Sequence, residues 1–402
     1  MRQALNVMAI AALAGVAGCA STPEPVKPPS PIAAPAPTAP PVPEVQSAAF
    51  VGVERGPAFE ALPVSDSDAN AALAAFVESC DWVSRKDDKS GLTRPSDWQA
   101  ACDAAHNTRY DRGRAFFAEH FQPVRIGNGE AFATGYFEPE LRGSRTRAAG
   151  YDVPVYSMPD DLVRAWPETM AESERSGRPP LGRYDETGAH VPYWDREAIE
   201  LGALAGRGLE IAWAADAIEF FFLQIQGSGL LRLPDNSLMR IGYAGQNGRG
   251  YTAIGRTLRE RGEIGDGTNY PVSMQGIVDW LRANPSEADS VMRENQSWIF
   301  FRELTTDGPL GSLGVPVRAR DSVAVDPRFV PYGAPVFLDI EEDEADGLWV
   351  AQDTGGAIKG ANRFDTFWGN GPSARRIAGE MSSGGNALIL LPKGSVDRLL
   401  AR

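Results

Sequence analysis

The 402-residue chain has only three cysteines and three histidines. The histidines, His106, His120 and His190, show no metal-ligand spacing. His120 lies beside Phe116, Phe117 and Phe121, a setting that suits packing better than base catalysis. A G-x-S-x-G elbow is missing, which weakens a serine-triad reading. Basic stripes are also missing, and the net charge of -14 argues against a nucleic-acid partner. Gly227-Ser228-Gly229 and Gly369-Asn370-Gly371 do not complete a phosphate-binding pattern, and tight turns explain them better. No metal or other cofactor is therefore expected.

The N-terminus carries an address. Arg2 supplies a positive charge, and residues 4–16 form an apolar run too short to cross a bilayer as a stable helix. The run ends in Val16-Ala17-Gly18-Cys19, which resembles a bacterial lipobox. The expectation is a signal peptide over 1–19 with Cys19 lipidated, since two or more acyl chains anchor stably. Ala20 and Ser21 lack the aspartate of an inner-membrane retention signal. That favours the periplasmic face of the outer membrane of a Gram-negative bacterium. Residues 20–45 are rich in Pro and Ala and predict a semi-rigid polyproline tether, with a reach of roughly 3.1 Å per residue. In an exported chain the remaining pair, Cys80 and Cys102, is expected to form a disulfide between two helices.

Helical spacing follows Ser65-Asp66-Ser67-Asp68, then recurs from about Ser96 and over residues 111–121. Residues 131–141 read as a strand, and the apolar run 218–226 reads as another. Residues 274–281 and 286–294 read as helices, the second capped by Ser286. Short β-branched or aromatic runs at 297–302, 315–318, 322–325, 334–340, 348–352 and 387–391 point to a barrel more than to a doubly wound sheet. The acidic run 341–346 reads as a solvated hairpin turn.

Chemistry concentrates in residues 348–371, LWVAQDTGGAIKGANRFDTFWGNG. A strand delivers Asp353 to a glycine-rich turn, and Asp365 follows among Phe364, Phe367 and Trp368. Burial among aromatics raises a carboxyl pKa, and a carboxylic acid still protonated near neutrality can act as a general acid. Asp353-Thr354-Gly355 also matches the aspartic-protease signature. No second D-[ST]-G exists, so a protease would have to be a symmetric dimer. A polar cluster, Gln224, Gln226, Ser228, Gln246 and Asn247, is interspersed with Tyr136, Tyr243 and Tyr251. Amides and hydroxyls bond sugar hydroxyls, and aromatic faces stack on sugar rings. An interdomain hydrogen-bond network accounts for that cluster equally well.

Longer motifs in one order carry a resemblance. They are TGYFEPEL (134–141), LQIQGSG (223–229), GYAGQNGRGY (242–251), NQSWIFF (295–301), SVAVDPRFVPYGAP (322–335) and AQDTGGAIKGANRFDTFWGNG (351–371). Together they resemble the membrane-bound lytic murein transglycosylase A family with its C-terminal 3D module, here about 320–392. The three aspartates that name the module match Asp326, Asp353 and Asp365. The resemblance implies a mainly β fold with peripheral helices: a double-psi β-barrel domain (46–139 plus 305–402), an inserted β-domain (140–304), and a substrate groove between them. It implies non-hydrolytic cleavage of the MurNAc-β-1,4-GlcNAc bond of peptidoglycan glycan strands, leaving a 1,6-anhydro end. Asp365 would be the catalytic acid, with Asp353, Asp326 and Lys359 in support. Thr134, Tyr136, Gln224, Gln226, Ser228, Tyr243, Gln246, Asn247 and Trp368 would bind substrate. The membrane is a partner through Cys19, and wall-remodelling proteins are compatible further partners. A non-catalytic wall-binding lipoprotein is the alternative from another class, because similar barrels also serve as binding modules.

Overall fold

Six strands close on themselves. In the computed structural model, which describes residues 47–401, Glu130–Glu138 pairs with Arg363–Asn370 on one side and Ser382–Pro392 on the other. Pro335–Ile340, Gly347–Asp353 and Ser322–Val325 complete the ring between those two. A closed sheet leaves no unpaired edge within the ring, so its backbone groups are satisfied by neighbours. Two further strands, Val53–Arg55 and Phe121–Ile126, extend it beside Ser382–Pro392.

Helices cover this sheet. Asp66–Val83 starts at Ser65, whose hydroxyl accepts the Asp68 amide at 3.1 Å, the capping expected of that sequence. Its buried face (Leu73, Phe76, Cys80) joins Trp98 and Cys102 of Pro95–Asn107, together with Phe116, Phe117 and Phe121, in the main core. Cys80 and Cys102 are disulfide-bonded, with Cα atoms 5.5 Å apart. The acidic run forms a single short turn, Asp343–Ala345, between antiparallel strands, and Asp346 accepts the Ile340 amide at 2.8 Å.

The chain leaves the ring at Pro139. Between Glu140 and Leu304 it builds a separate six-stranded sheet and a three-stranded one, with their own apolar core around Leu223, Ile241, Phe300 and Phe301. The two crossings are tied by a buried pair. Arg240 Nε donates to Glu138 Oε1 at 2.8 Å, and Arg240 Nη1 donates to the Thr306 carbonyl at 2.9 Å.

Several local expectations are corrected. Residues 218–226 are not a strand: Ala217–Gln226 is an α-helix. Asp216 caps it by accepting the Ile218 and Glu219 amides, and Gly227 ends it at φ 80°, a left-handed conformation that glycine adopts freely. Its apolar centre, Phe220 to Leu223, covers more than one face because the helix sits between two cores, Phe220 and Leu223 facing one and Phe221 and Phe222 the other. Residues 131–141 form two strands, interrupted at Pro139. Residues 315–318 form no strand, only a bridge between Leu310 and Pro316. Helix Pro285–Glu294 begins after Asn284 rather than at Ser286, with Pro285 at its first position, where the missing amide costs no hydrogen bond. Cys19, the signal peptide and the tether lie outside the described residues. Among those described, no helix is long and apolar enough to cross a membrane.

Candidate active site

Strand register assembles the site. Ala324 stands opposite Asp353 on one neighbouring strand and opposite Asp365 on the other. Asp365 in turn stands opposite Thr134. Register partners point to the same face of a sheet, so Asp353, Ala324, Asp365 and Thr134 form one transverse row. Side chains from the next rows, Tyr136 and Phe367, join Val317, Ala324 and Ile358 in a small apolar cluster around the carboxylates.

The two aspartates have different surroundings. Asp353 accepts three donors: the Ser312 amide at 2.8 Å, the Thr354 amide at 2.8 Å and the Tyr136 hydroxyl at 3.1 Å. Burial pushes its pKa up, while those bonds favour the carboxylate and oppose the rise. Asp365 accepts one bond, from Thr134 Oγ1 at 2.5 Å. Burial pushes its pKa up to about 6, against the Thr134 bond and the Arg363 cation and with help from the negative Asp353. The apolar cluster removes water's stabilisation of the charge, yet Asp365 keeps partial exposure and can reach a substrate. Tyr136, buried beside both carboxylates, has its hydroxyl pKa pushed well up and stays a donor.

Asp326 lies behind the row. It is buried and held by Arg328, whose Nη2 donates at 2.6 Å, and it accepts the Gly360 amide at 2.9 Å. It thereby anchors the glycine-rich loop between Asp353 and Asp365. Its pKa is lowered: burial acts upward but is outweighed by the bonds to Arg328 and Gly360. Lys359, expected in support, is exposed, and the cation that acts on Asp365 is Arg363.

The expected sugar-binding residues divide. Gln226 accepts the Phe137 amide at 3.1 Å and so fastens the insert's helix end to the Thr134 strand. Ser228 and Gln246 are half-buried, and Tyr243 is exposed. Gln224, Asn247 and Trp368 face inward instead. Gln224 accepts Arg196 Nη1 at 2.7 Å inside the insert. Asn247 donates to the Trp194 and Gln296 carbonyls, both at 2.9 Å, and accepts the Trp298 amide. Trp368 donates to Thr366 Oγ1 at 2.9 Å and packs edge-on against Trp349. All three are buried, Asn247 and Trp368 with their side-chain nitrogens bonded and Gln224 with its Nε2 left without a partner among the described residues. Thr134 bonds Asp365 itself.

Two contributors were not assigned from sequence. Arg363 Nη2 donates to Thr134 Oγ1 at 2.8 Å. Its place two residues before Asp365, on the same strand face, was the available signal. Tyr251, seen only as one of several tyrosines, has its hydroxyl pKa raised by burial and by the nearby Asp365 charge. It also lines a cavity of about 250 Å³ with Gly135 and Gln226, which brings residues of both sheets together near Asp365.

Comparison with known proteins places this arrangement. Residues 132–302 match the MltA specific insert domain, and residues 321–391 match the 3D domain. A crystal structure of a membrane-bound lytic murein transglycosylase from Agrobacterium tumefaciens is similar at a TM-score of 0.76 with 32% identity, covering 87% of this chain and 99% of that one. The chain belongs to the lytic murein transglycosylase A family. MltA from Neisseria gonorrhoeae in a monoclinic form, another member, is similar at a TM-score of 0.68 with 34% identity, covering 84% of this chain and 90% of that one. The membrane-bound lytic murein transglycosylase A of Vibrio cholerae is 30% identical over 273 residues, which span 64% of this chain and 66% of that protein.

Proposed function

We propose that this family member is a peptidoglycan lytic transglycosylase that cleaves the MurNAc-β-1,4-GlcNAc bond without water and leaves a 1,6-anhydro-MurNAc end. The observation that carries the reading is Asp365, a part-exposed carboxyl with a pKa of about 6, in a row whose second aspartate is already saturated with donors. Ordinary glycosidases pair an acid with a second carboxylate. Here a single titrating carboxyl suffices, because the nucleophile is the substrate's own C6 hydroxyl. Asp365 protonates the bridging oxygen, and the glycosidic bond breaks. The resulting carboxylate then takes the O6 proton as O6 attacks C1. An intramolecular nucleophile already near C1 exploits the high effective molarity of a well-oriented group.

Asp353 raises the acid's pKa by charge, and Asp326 holds the loop between them. Saturation of Asp353 by two amides and a tyrosine also argues against its use as a protease nucleophile. Tyr243, Gln246, Ser228, Gln226 and Tyr251 are the insert residues assigned to the glycan. The closed six-stranded ring is compatible with the double-psi barrel, and residues 140–304 are assigned as the inserted domain. Lipidation at Cys19 and an outer-membrane, periplasmic location complete the reading, with the tether presenting the enzyme to the wall.

Digestion of purified peptidoglycan, followed by mass analysis, tests it. Anhydro-muropeptides are the expected products. Hydrated reducing ends would indicate a hydrolase, no products a binding module, and pepstatin-sensitive peptide cleavage a protease.

A further inference from the structure

We infer that Arg363 is a positioning residue: it fixes the direction of the Thr134 hydroxyl so that Asp365 carries its transferable proton on Oδ2. The inference rests on the assignment of Asp365 as the acid. A guanidinium only donates hydrogen bonds, whereas a threonine hydroxyl has one proton and can donate or accept. Arg363 Nη2 lies 2.8 Å from Thr134 Oγ1, so that oxygen is the acceptor. The hydroxyl's single proton is then free for Asp365 Oδ1, 2.5 Å away. With Oδ1 occupied as an acceptor, the acidic proton resides on Oδ2. Among the described residues Oδ2 has no hydrogen-bond partner.

Without the cation the hydroxyl can turn. It could then accept a proton from Oδ1, and the acid would hold its proton against the protein instead of presenting it to the glycosidic oxygen. Arg363 is itself well held. Its Nη1 donates to the Phe132 and Phe364 carbonyls, and its guanidinium lies over the Phe132 ring, 5.2 Å from the centroid. Among the described residues no carboxylate lies within 4.0 Å of it, so no ion pair competes for its donors. The Thr134 backbone is pinned as well, its carbonyl accepting Thr366 Oγ1 at 3.0 Å. Besides Arg363, the ionisable groups near Asp365 are Asp353 on a neighbouring part of the ring, Tyr136 on the Thr134 strand and Tyr251 from the insert.

The test uses the full chain and four variants, R363Q, R363K, T134V and the double variant R363Q/T134V. Each is assayed on purified glycan strands across pH, with thermal melting to establish folding. R363Q is expected to lower kcat about tenfold while KM stays within about twofold, and to move the falling limb of the pH profile upward. R363K is expected to return kcat to within about threefold, because an ammonium also only donates. T134V is expected to cost about as much as R363Q, and the double variant less than about twofold more than T134V, because the hydroxyl through which Arg363 acts is gone. Fully additive losses, or an R363Q effect confined to KM, would overturn the inference. Lack of anhydro products from the wild-type chain would instead sink the transglycosylase reading. The hydrogen-bond chain is then read by carboxyl-carbon NMR titration of Asp365, which R363Q and T134V should each shift upward. An unmoved titration in both would overturn it.

Discussion

Asp353 and Asp365 face the same residue, Ala324, from the two strands that flank it. They are twelve positions apart in sequence, yet one strand separates them in the sheet. At the usual strand spacing of about 4.8 Å this puts their backbones on the order of 10 Å apart. That is near enough for the charge of one to raise the pKa of the other. Asp353 instead accepts the Ser312 and Thr354 amides and the Tyr136 hydroxyl, which distinguishes the pair from an aspartic-protease dyad that shares one proton.

Asp365→Asn removes the transferable proton with little change in volume. Turnover of peptidoglycan should fall by about two to four powers of ten, the usual worth of a general acid. Binding to insoluble glycan should persist within about threefold in a sedimentation assay. Undiminished release of anhydro products by the variant would place the acid elsewhere.

The same carboxyl sets two pH trends. In the proposed mechanism the protonated form acts first, so kcat/KM should decline as pH rises through about 6. Stability carries the same sign for a different reason. The folded pKa is raised above the unfolded value of about 3.9, so the folded state binds more protons between the two values. This contribution is full below the unfolded pKa and is lost as pH rises through about 6. Asp321, raised to about 6 by burial and by Asp68, adds to the trend. Denaturant titration should therefore find D365N more stable than the wild type at pH 8, by on the order of 2 kcal/mol. The gap should close at pH 4. A constant gap across pH would contradict the linkage.

Ala324→Val tests the row directly. Ala324 is buried between the aspartates and beside Tyr136 and Phe367. Two extra methyl groups there have to displace the strand or the side chains, at a cost of about 1–3 kcal/mol. A lowered Tm together with a kcat loss larger than the KM change is the expected result. Full activity with an unchanged Tm would mean that the spacing of the row does not matter.

Glu138→Gln addresses the junction between ring and insert. It leaves the partly buried Arg240 cation with neutral acceptors only, the new amide oxygen and the Thr306 carbonyl, and no counter-charge. Removing one member of a buried pair typically costs about 3–5 kcal/mol, and the partial exposure of Arg240 favours the lower end. Equilibrium unfolding should show this, and the double variant E138Q/R240M should be less damaged than E138Q alone. Equal damage in both would assign the loss to packing and not to the stranded charge.

The site was partly legible before any coordinates. Asp353 and Asp365 stood out because carboxylates beside glycines and aromatics are unusual, and the caps at Ser65 and Asp216 are short-range chemistry. The helix at Ala217–Gln226 was not legible as one. Four consecutive apolar residues, Phe220 to Leu223, give no period that separates helix from strand, and only the two neighbouring cores explain them. Gln224 and Asn247 read ambiguously for a related reason. Amides suited to sugar hydroxyls are equally suited to buried carbonyls and guanidinium groups, and composition does not report burial.

Local bonding is where the amino-acid sequence decides alone: helix caps, turns, the apolar surroundings of Asp365, and the long motifs that mark the family. The register that sets Asp353, Ala324, Asp365 and Thr134 in one row is a property of the closed ring. So is the direction of the bond from Arg363 to Thr134, because it requires two strands 229 positions apart to lie side by side. Short-range preferences are written in neighbouring residues, whereas pKa and proton position depend on what distant segments bring within a few ångströms.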